Sequence, residues 1–274
     1  MNYKLKTLPS IYPITLDEAK AQVNATGSTY DDALISSLIV AAVNLTESYT
    51  WRPLVQQTWE LYLDKNEVEE TIYLNKTPLL SVVSIKYYNA DNVLTTLSTN
   101  DYEVDLISET GRIKLESVPV MADGFNKLIV EFTCGFMAFG EAVTSDSVSH
   151  ASDKITKTAH GLYNGQAIVV TNVENITNIS VNTLYYAKVV DADNFYITTE
   201  PFGTHINLGG SDVHAISYKA LTNIPDQIKS AIKLTIGHLY KHREDVVAGA
   251  GGSELPMGNK YLLDFYKQKN YYIK

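Results

Sequence analysis

Residues 28–59, STYDDALISSLIVAAVNLTESYTWRPLVQQTW, decide how the rest of the sequence is read. Ser28 and Thr29 offer hydroxyls that cap a helix, and Asp31 and Asp32 put negative charge into its first turn. Ala33, Leu34, Leu38, Ala41, Ala42, Leu45 and Tyr49 then recur at helical spacing. Ile35 and Ile39 widen that apolar stripe, so the spacing predicts a long core helix packed through Leu34, Leu38, Leu45 and Tyr49. Arg52-Pro53 ends it, because proline pushes the residue before it out of the α region. Residues 55–63 read as a strand with Trp59, Leu61 and Leu63 on one face. A buried helix running into a tryptophan-bearing strand predicts the core of an α+β domain.

Upstream, Pro9 and Pro13 keep residues 1–13 extended. Thr15-Leu16-Asp17-Glu18 is a capping box, in which Thr15 caps and Glu18 reaches back, and it opens a short helix over 16–23. Downstream, residues 56–135 alternate between strands and turns. In 82–88, Val83, Ile85 and Tyr87 oppose Val82, Ser84, Lys86 and Tyr88, and Asn89-Ala90-Asp91-Asn92 turns the chain. Asp101, Glu103 and Asp105 share one face of a further strand. Three alternating carboxylates read as a solvated face, and no metal is assigned to them. Residues 112–115 and 127–133 complete an antiparallel meander.

The 274 residues suffice for one large domain or two modest ones, and 45% hydrophobic with 19% charged residues describe a core-forming protein. No apolar run approaches the ~20 residues that span a bilayer, and the N-terminus lacks a signal peptide's apolar region, so no membrane partner is expected. Cys134 is the only cysteine, which excludes an intrachain disulfide and reads as a small buried hydrophobe. A net charge of -9 argues against tight binding of nucleic-acid phosphates. The charge is uneven: residues 1–140 carry 18 acids and 10 bases, 141–218 carry 8 and 3, and 219–274 carry 5 and 9. A basic C-terminal segment on an acidic body points to an acidic partner surface. The 19 tyrosines suit interfaces that are apolar on one side and wet on the other.

At Gly140 the texture changes. Residues 140–154, GEAVTSDSVSHASDK, are polar and serine-rich and read as a linker. Beyond them the patterning is compact and all-β, with strands over 168–170, 185–190 and 195–198. Its HGLxxG…YYAxVVDADNFYI pattern resembles a small β-barrel module scattered through phage structural proteins. His160 in that pattern has no Ser or Cys nucleophile nearby in sequence and is read as fixing its turn. Helix resumes at Pro225, with Ile228, Ala231, Ile232, Thr235, Ile236, Leu239 and Tyr240 as its stripe. His238 and His242 lie four apart but lack the glutamate of a zincin helix. The glycine-rich stretch 246–258 matches neither phosphate-binding motif. A last helix over 259–269 carries Tyr261, Leu262, Phe265 and Tyr266 and runs into a tyrosine–lysine tail.

Taken in order, ITLDEAKAQV, DDALISSLIVAAVNLTESYTWRPLVQQTWELYLD, TPLLSVVSIKYYNAD and DYEVDLISETGRI resemble the head–tail connector (adaptor) family of long-tailed bacteriophages. IPDQIKSAIKLTIGHLYKHREDVV and ELPMGNKYLLDFYK extend the resemblance at the C-terminal end. It covers about 1–135 and 220–270. The expected architecture is therefore α+β, a helical bundle with an antiparallel β-meander, plus an inserted all-β barrel-like domain. Residues 1–140 and 219–274 form the discontinuous connector domain, and 141–218 are the insertion, at a loop of the kind that tolerates one. The resemblance implies a structural virion protein made in the host cytoplasm, without enzymatic activity or cofactor. It implies a ring homo-oligomer, commonly a dodecamer, between the portal protein and the next tail or neck protein, through which DNA passes non-specifically. It also implies portal docking by the C-terminal extension, here Tyr266, Lys267, Lys269, Tyr271, Tyr272 and Lys274. Two other readings stand beside it. One is another virion structural or receptor/carbohydrate-binding protein that reads glycans with exposed aromatics of the β-module. The other is a hydrolase using carboxylates such as Asp101 and Glu103.

Overall fold

The computed structural model describes residues 2–9, 11–210, 215–222, 224–242 and 257–268. They fall into two compact units, one drawn from 2–9, 51–138 and 267–268, the other from 11–50 and 139–266.

The first unit holds β1 (Asn2–Thr7), β2 (Gln57–Leu63), β3 (Thr71–Leu74), β4 (Leu79–Tyr88), β5 (Leu94–Thr96), β6 (Tyr102–Asp105), β7 (Gly111–Leu115) and β8 (Leu128–Cys134). The extended N-terminus is thus an edge strand. A five-stranded antiparallel sheet runs in the order β1-β2-β8-β4-β5, and a three-stranded one in the order β3-β7-β6. Their inward residues share one core: Leu61 and Leu63 of β2, Ile72 and Leu74 of β3, Ile113 and Leu115 of β7, and Val130 and Phe132 of β8. Cys134 is wholly buried in it. Register puts Trp59 opposite Phe132 and Leu61 opposite Val130. After β8, Gly135 takes φ +137°, and a Cβ there would lie 2.5 Å from the Val55 carbonyl oxygen, so only glycine fits.

The second unit holds four helices, α1 (Leu16–Gln22), α2 (Asp32–Thr50), α3 (Asp226–Lys241) and α4 (Met257–Asp264). Its strands are β9 (Phe139–Thr144), β10 (Ser147–Ser149), β11 (Lys154–Thr156), β12 (Ala167–Val173), β13 (Leu184–Val189), β14 (Asn194–Thr198) and β15 (Ile216–Leu221). The helix α2 stops at Thr50, and Trp51 follows at φ +61°, one residue before the break expected at Arg52-Pro53. Its buried face is Ile35, Ile39, Ala42, Val43, Thr46 and Thr50. Although α2 is long and apolar enough, by length and composition, to cross a membrane, that face packs on α1, α3 and α4. Ser36, Ser37, Asn44 and Ser48 are exposed. It reads as the core helix of a bundle. Tyr240 Oη donates to Asp31 (2.6 Å), and Asn259 Nδ2 donates to Thr235 Oγ1 (2.8 Å).

The seven strands form one antiparallel sheet in the order β10-β11-β14-β13-β12-β15-β9. The expected barrel is not closed: β9 and β10 are its two edges. They are consecutive in the chain, however, joined by Ser145-Asp146. The Ser145 N–H donates to Ile216 of β15, and the Asp146 N–H to Thr156 of β11. The sheet therefore curls until its edges meet at one dipeptide. Inside the curl lie Val148, Ile155, Ile168, Val170, Phe195, Ile197 and Tyr218. The stretch read as a linker supplies β9 and β10, a correction with a clear cause. Val148 is fully buried and Val143 half-buried against this core, and the strand ladder satisfies the backbone whatever the serine content.

Gly140 and Lys219, the two boundaries read from the sequence, lie within β9 and β15, which pair through Ala142 and Lys219.

Candidate functional site

The capping box of α1 forms as its spacing dictates. Thr15 Oγ1 accepts from the Glu18 N–H at 3.1 Å, and the Thr15 N–H donates to Glu18 Oε2 at 3.0 Å. The Thr15 hydroxyl also donates to the Thr199 carbonyl just beyond β14, at 2.9 Å. Glu18 itself is buried, 3% exposed. Tyr186 of β13 donates its phenolic hydrogen to Glu18 Oε2 at 2.7 Å. The other oxygen, Oε1, has the ammonium groups of Lys233 at 3.1 Å and Lys229 at 3.7 Å, both from α3, but receives no hydrogen bond. Lys229 Nζ donates to Tyr186 Oη at 2.9 Å and lies 4.7 Å from the centre of its ring.

One carboxylate thus ties α1, α3 and β13 together. Burial pushes its pKa up, but Lys229, the Thr15 N–H, Lys233 and Tyr186 outweigh that and bring it below the ordinary glutamate value. Burial, with the Glu18 charge beside it, pushes the Tyr186 phenol up, so it stays a donor. Burial draws the Lys229 ammonium down, partly offset by Glu18.

Glu18, Lys229 and Lys233 also line a cavity of about 340 Å³, walled on the sheet side by Tyr163, Gly165, Pro201 and Phe202. Glu200-Pro201-Phe202-Gly203 is a turn closed by the Gly203 N–H to the Glu200 carbonyl at 3.0 Å. Phe202 sits at its third position with φ +62°, where glycine is the favoured residue. A left-handed phenylalanine costs about 1 kcal/mol, yet the residue is 67% exposed. The ring rests on Gly165, where a Cβ would lie 2.8 Å from Phe202 Cζ.

The residues singled out from the sequence are dispersed. Of the packing set, Ile232 is buried; Leu34, Leu38, Tyr49, Trp59 and Leu239 are half-buried; and Leu45 is exposed. Tyr49 Oη donates to Asp264 at 2.5 Å, and Lys76 Nζ stands 4.4 Å above the Trp59 ring. In the docking set, Tyr266 Oη donates to Gln227 Oε1 at 2.9 Å, and Lys267 is exposed. Lys269, Tyr271, Tyr272 and Lys274 lie outside the described residues. In α4, Leu263 is buried, while Tyr261 and, just beyond the helix, Phe265 face solvent.

His160 fixes its turn. Its Nδ1 accepts from the Leu162 N–H and its Nε2 donates to the Asp191 carbonyl, both at 2.9 Å. Asp105 is used locally: it accepts from the N–H groups of Ile107 and Ser108, the Ser108 hydroxyl and Arg112 Nε. These bonds hold its carboxyl far below the usual range. Among the described residues, no three His, Cys, Asp or Glu side chains converge as metal ligands.

Residues 13–112 match the family described as phage gp6-like head-tail connector protein. No curated protein matches the sequence. The fold is similar to a chain in the neck of an empty GTA particle computed with C6 symmetry, at 15% identity and TM-score 0.55, covering 98% of this chain and 96% of that one. A chain in the virion of the native gene transfer agent (GTA) particle is similar at 14% identity and TM-score 0.55, with the same coverage. At such identities the likeness is one of fold. With 98% of this chain covered, it runs through residues 141–218 as well as their flanks.

Proposed function

We propose that this chain is a structural subunit of a virion neck, a head–tail connector that forms a ring between the portal and the tail and extends the DNA channel. The observation that carries this reading is the connector-family match over residues 13–112, the region spanning the capping box, α2 and strands β2 to β6. The fold-wide likeness to neck and virion chains of gene transfer agents supports it, and the C6 symmetry of one of those necks supports a closed ring. Heterologous contacts that close a rotation produce rings. The half-buried Leu34 and Leu38 and the exposed Leu45 of α2 supply apolar surface for them.

In this reading residues 141–218 are a domain inserted between paired strands, and the basic segment 219–274 docks on the portal. The role is structural rather than catalytic. Assembly takes place in the host cytoplasm, and the finished protein resides in the virion neck.

The test is negative-stain microscopy of the protein alone and mixed with portal-bearing heads, using the full chain and a truncation after Phe265. Closed rings on the portal, lost in the truncation, are expected. One copy per particle overturns the ring, and wild-type attachment of the truncated chain moves the docking role elsewhere.

A further inference from the structure

The cavity beside Phe202 differs in chemistry from the apolar helix surface proposed for ring closure. We propose that it is a binding site for a neutral saccharide, one pyranose deep.

Three observations converge on that class. First, the rim is aromatic and open: Tyr163 is 51% and Phe202 67% exposed, and both line the cavity. The Phe202 ring is preset by its turn and by Gly165 beneath it, so it meets a ligand with little rotamer freedom left to lose. A flat ring of this kind packs against the C–H face of a sugar. Second, the walls behind it are polar. Asp226 and Lys233 reach the cavity from α3, and Glu18, ion-paired to Lys233 at 3.1 Å, contributes to the same wall. Hydroxyl groups, which both donate and accept, suit such a mixed set. Third, the charges balance, with Glu18 and Asp226 against Lys229 and Lys233. That balance disfavours a phosphate, a nucleotide or any ligand of strong net charge. A volume of about 340 Å³ falls at the small end of ligand pockets.

The experiment probes a glycan array with fluorescently labelled full-length protein, then titrates the methyl glycosides of any hits by ligand-observed saturation-transfer NMR. Hits on neutral glycans are expected, with saturation strongest on sugar C–H protons. Phe202→Ala should weaken them about tenfold, and Tyr163→Ala several-fold. Both rings are exposed, so neither change should alter the circular dichroism spectrum. Ile107→Ser, at a more exposed site in the other unit, should bind like wild type. A blank array, hits that survive Phe202→Ala unchanged, or hits confined to sulfated or sialylated glycans would each overturn the proposal, the last by showing attraction to the lysines alone.

Discussion

At the scale of the residue, Glu18 shows what a sequence declares and what it withholds. Its part in the capping box is legible, because the box is a local pattern of four residues. Its ties to Tyr186, Lys229 and Lys233 join positions 168 and more residues apart, and no local pattern encodes them. A buried carboxylate held below its ordinary pKa stabilises the fold above the ordinary value of 4.5, and that stabilisation is lost as pH falls through the depressed value. Glu18→Gln keeps the shape but leaves two lysines facing a neutral group. It should destabilise the protein at neutral pH by about 3 kcal/mol, as breaking a buried pair does. Because a protonated Glu18 resembles the glutamine, the gap between wild type and variant should narrow as the pH is lowered to about 3. Thermal or urea unfolding across that range checks it. A gap independent of pH would mean that the charge of Glu18 contributes nothing.

At the scale of the element, helix and strand identities are readable from the sequence, while faces and partners are less so. The helix α2 is where its spacing puts it, and it ends near Pro53. Its stripe is broad enough to permit two neighbouring faces. Tertiary packing selects Ile35, Ile39, Ala42, Val43 and Thr46, leaving Leu45 41% exposed. The difference is measurable. Ile39→Ala should cost about 2–5 kcal/mol, and Leu45→Ala no more than about 0.5 kcal/mol in the free chain. Equal losses in chemical unfolding would show that the helix packs on the other face. The curled sheet carries its own signal. Ala167-Ile168-Val169-Val170 and Leu184-Tyr185-Tyr186-Ala187 are continuous apolar runs, buried at every position. A strand with one wet face alternates instead, so such runs mean that both faces are covered. Ile168 and Val170 point into the curl, whereas Tyr186, on the other side, reaches α1 and α3. The polar stretch 140–154 misleads for the opposite reason: backbone pairing forms strands there that composition does not advertise.

At the scale of the whole molecule, the succession of motifs is more informative than any one of them. The connector resemblance rests on order and spacing over two separated regions, and the family match falls on the first. Charge bears on function at the same scale. Residues 1–218 carry 26 acids against 13 bases, and only 219–274 are basic, with 9 against 5. A chain of net charge -9 repels the phosphate backbone at long range, and counterion release, the main source of non-specific affinity, requires clustered cations that most of this sequence lacks. A wall that gripped phosphates would also stall DNA moving along a channel, so the acidic body suits a conduit. The full-length protein should therefore show no binding to duplex DNA below about 10 μM at roughly 150 mM salt, and only weak binding when the salt is lowered. Fluorescence anisotropy with a labelled duplex of random sequence measures this directly. Sub-micromolar binding at that salt would place a phosphate-binding surface in the chain and count against a passive channel lining.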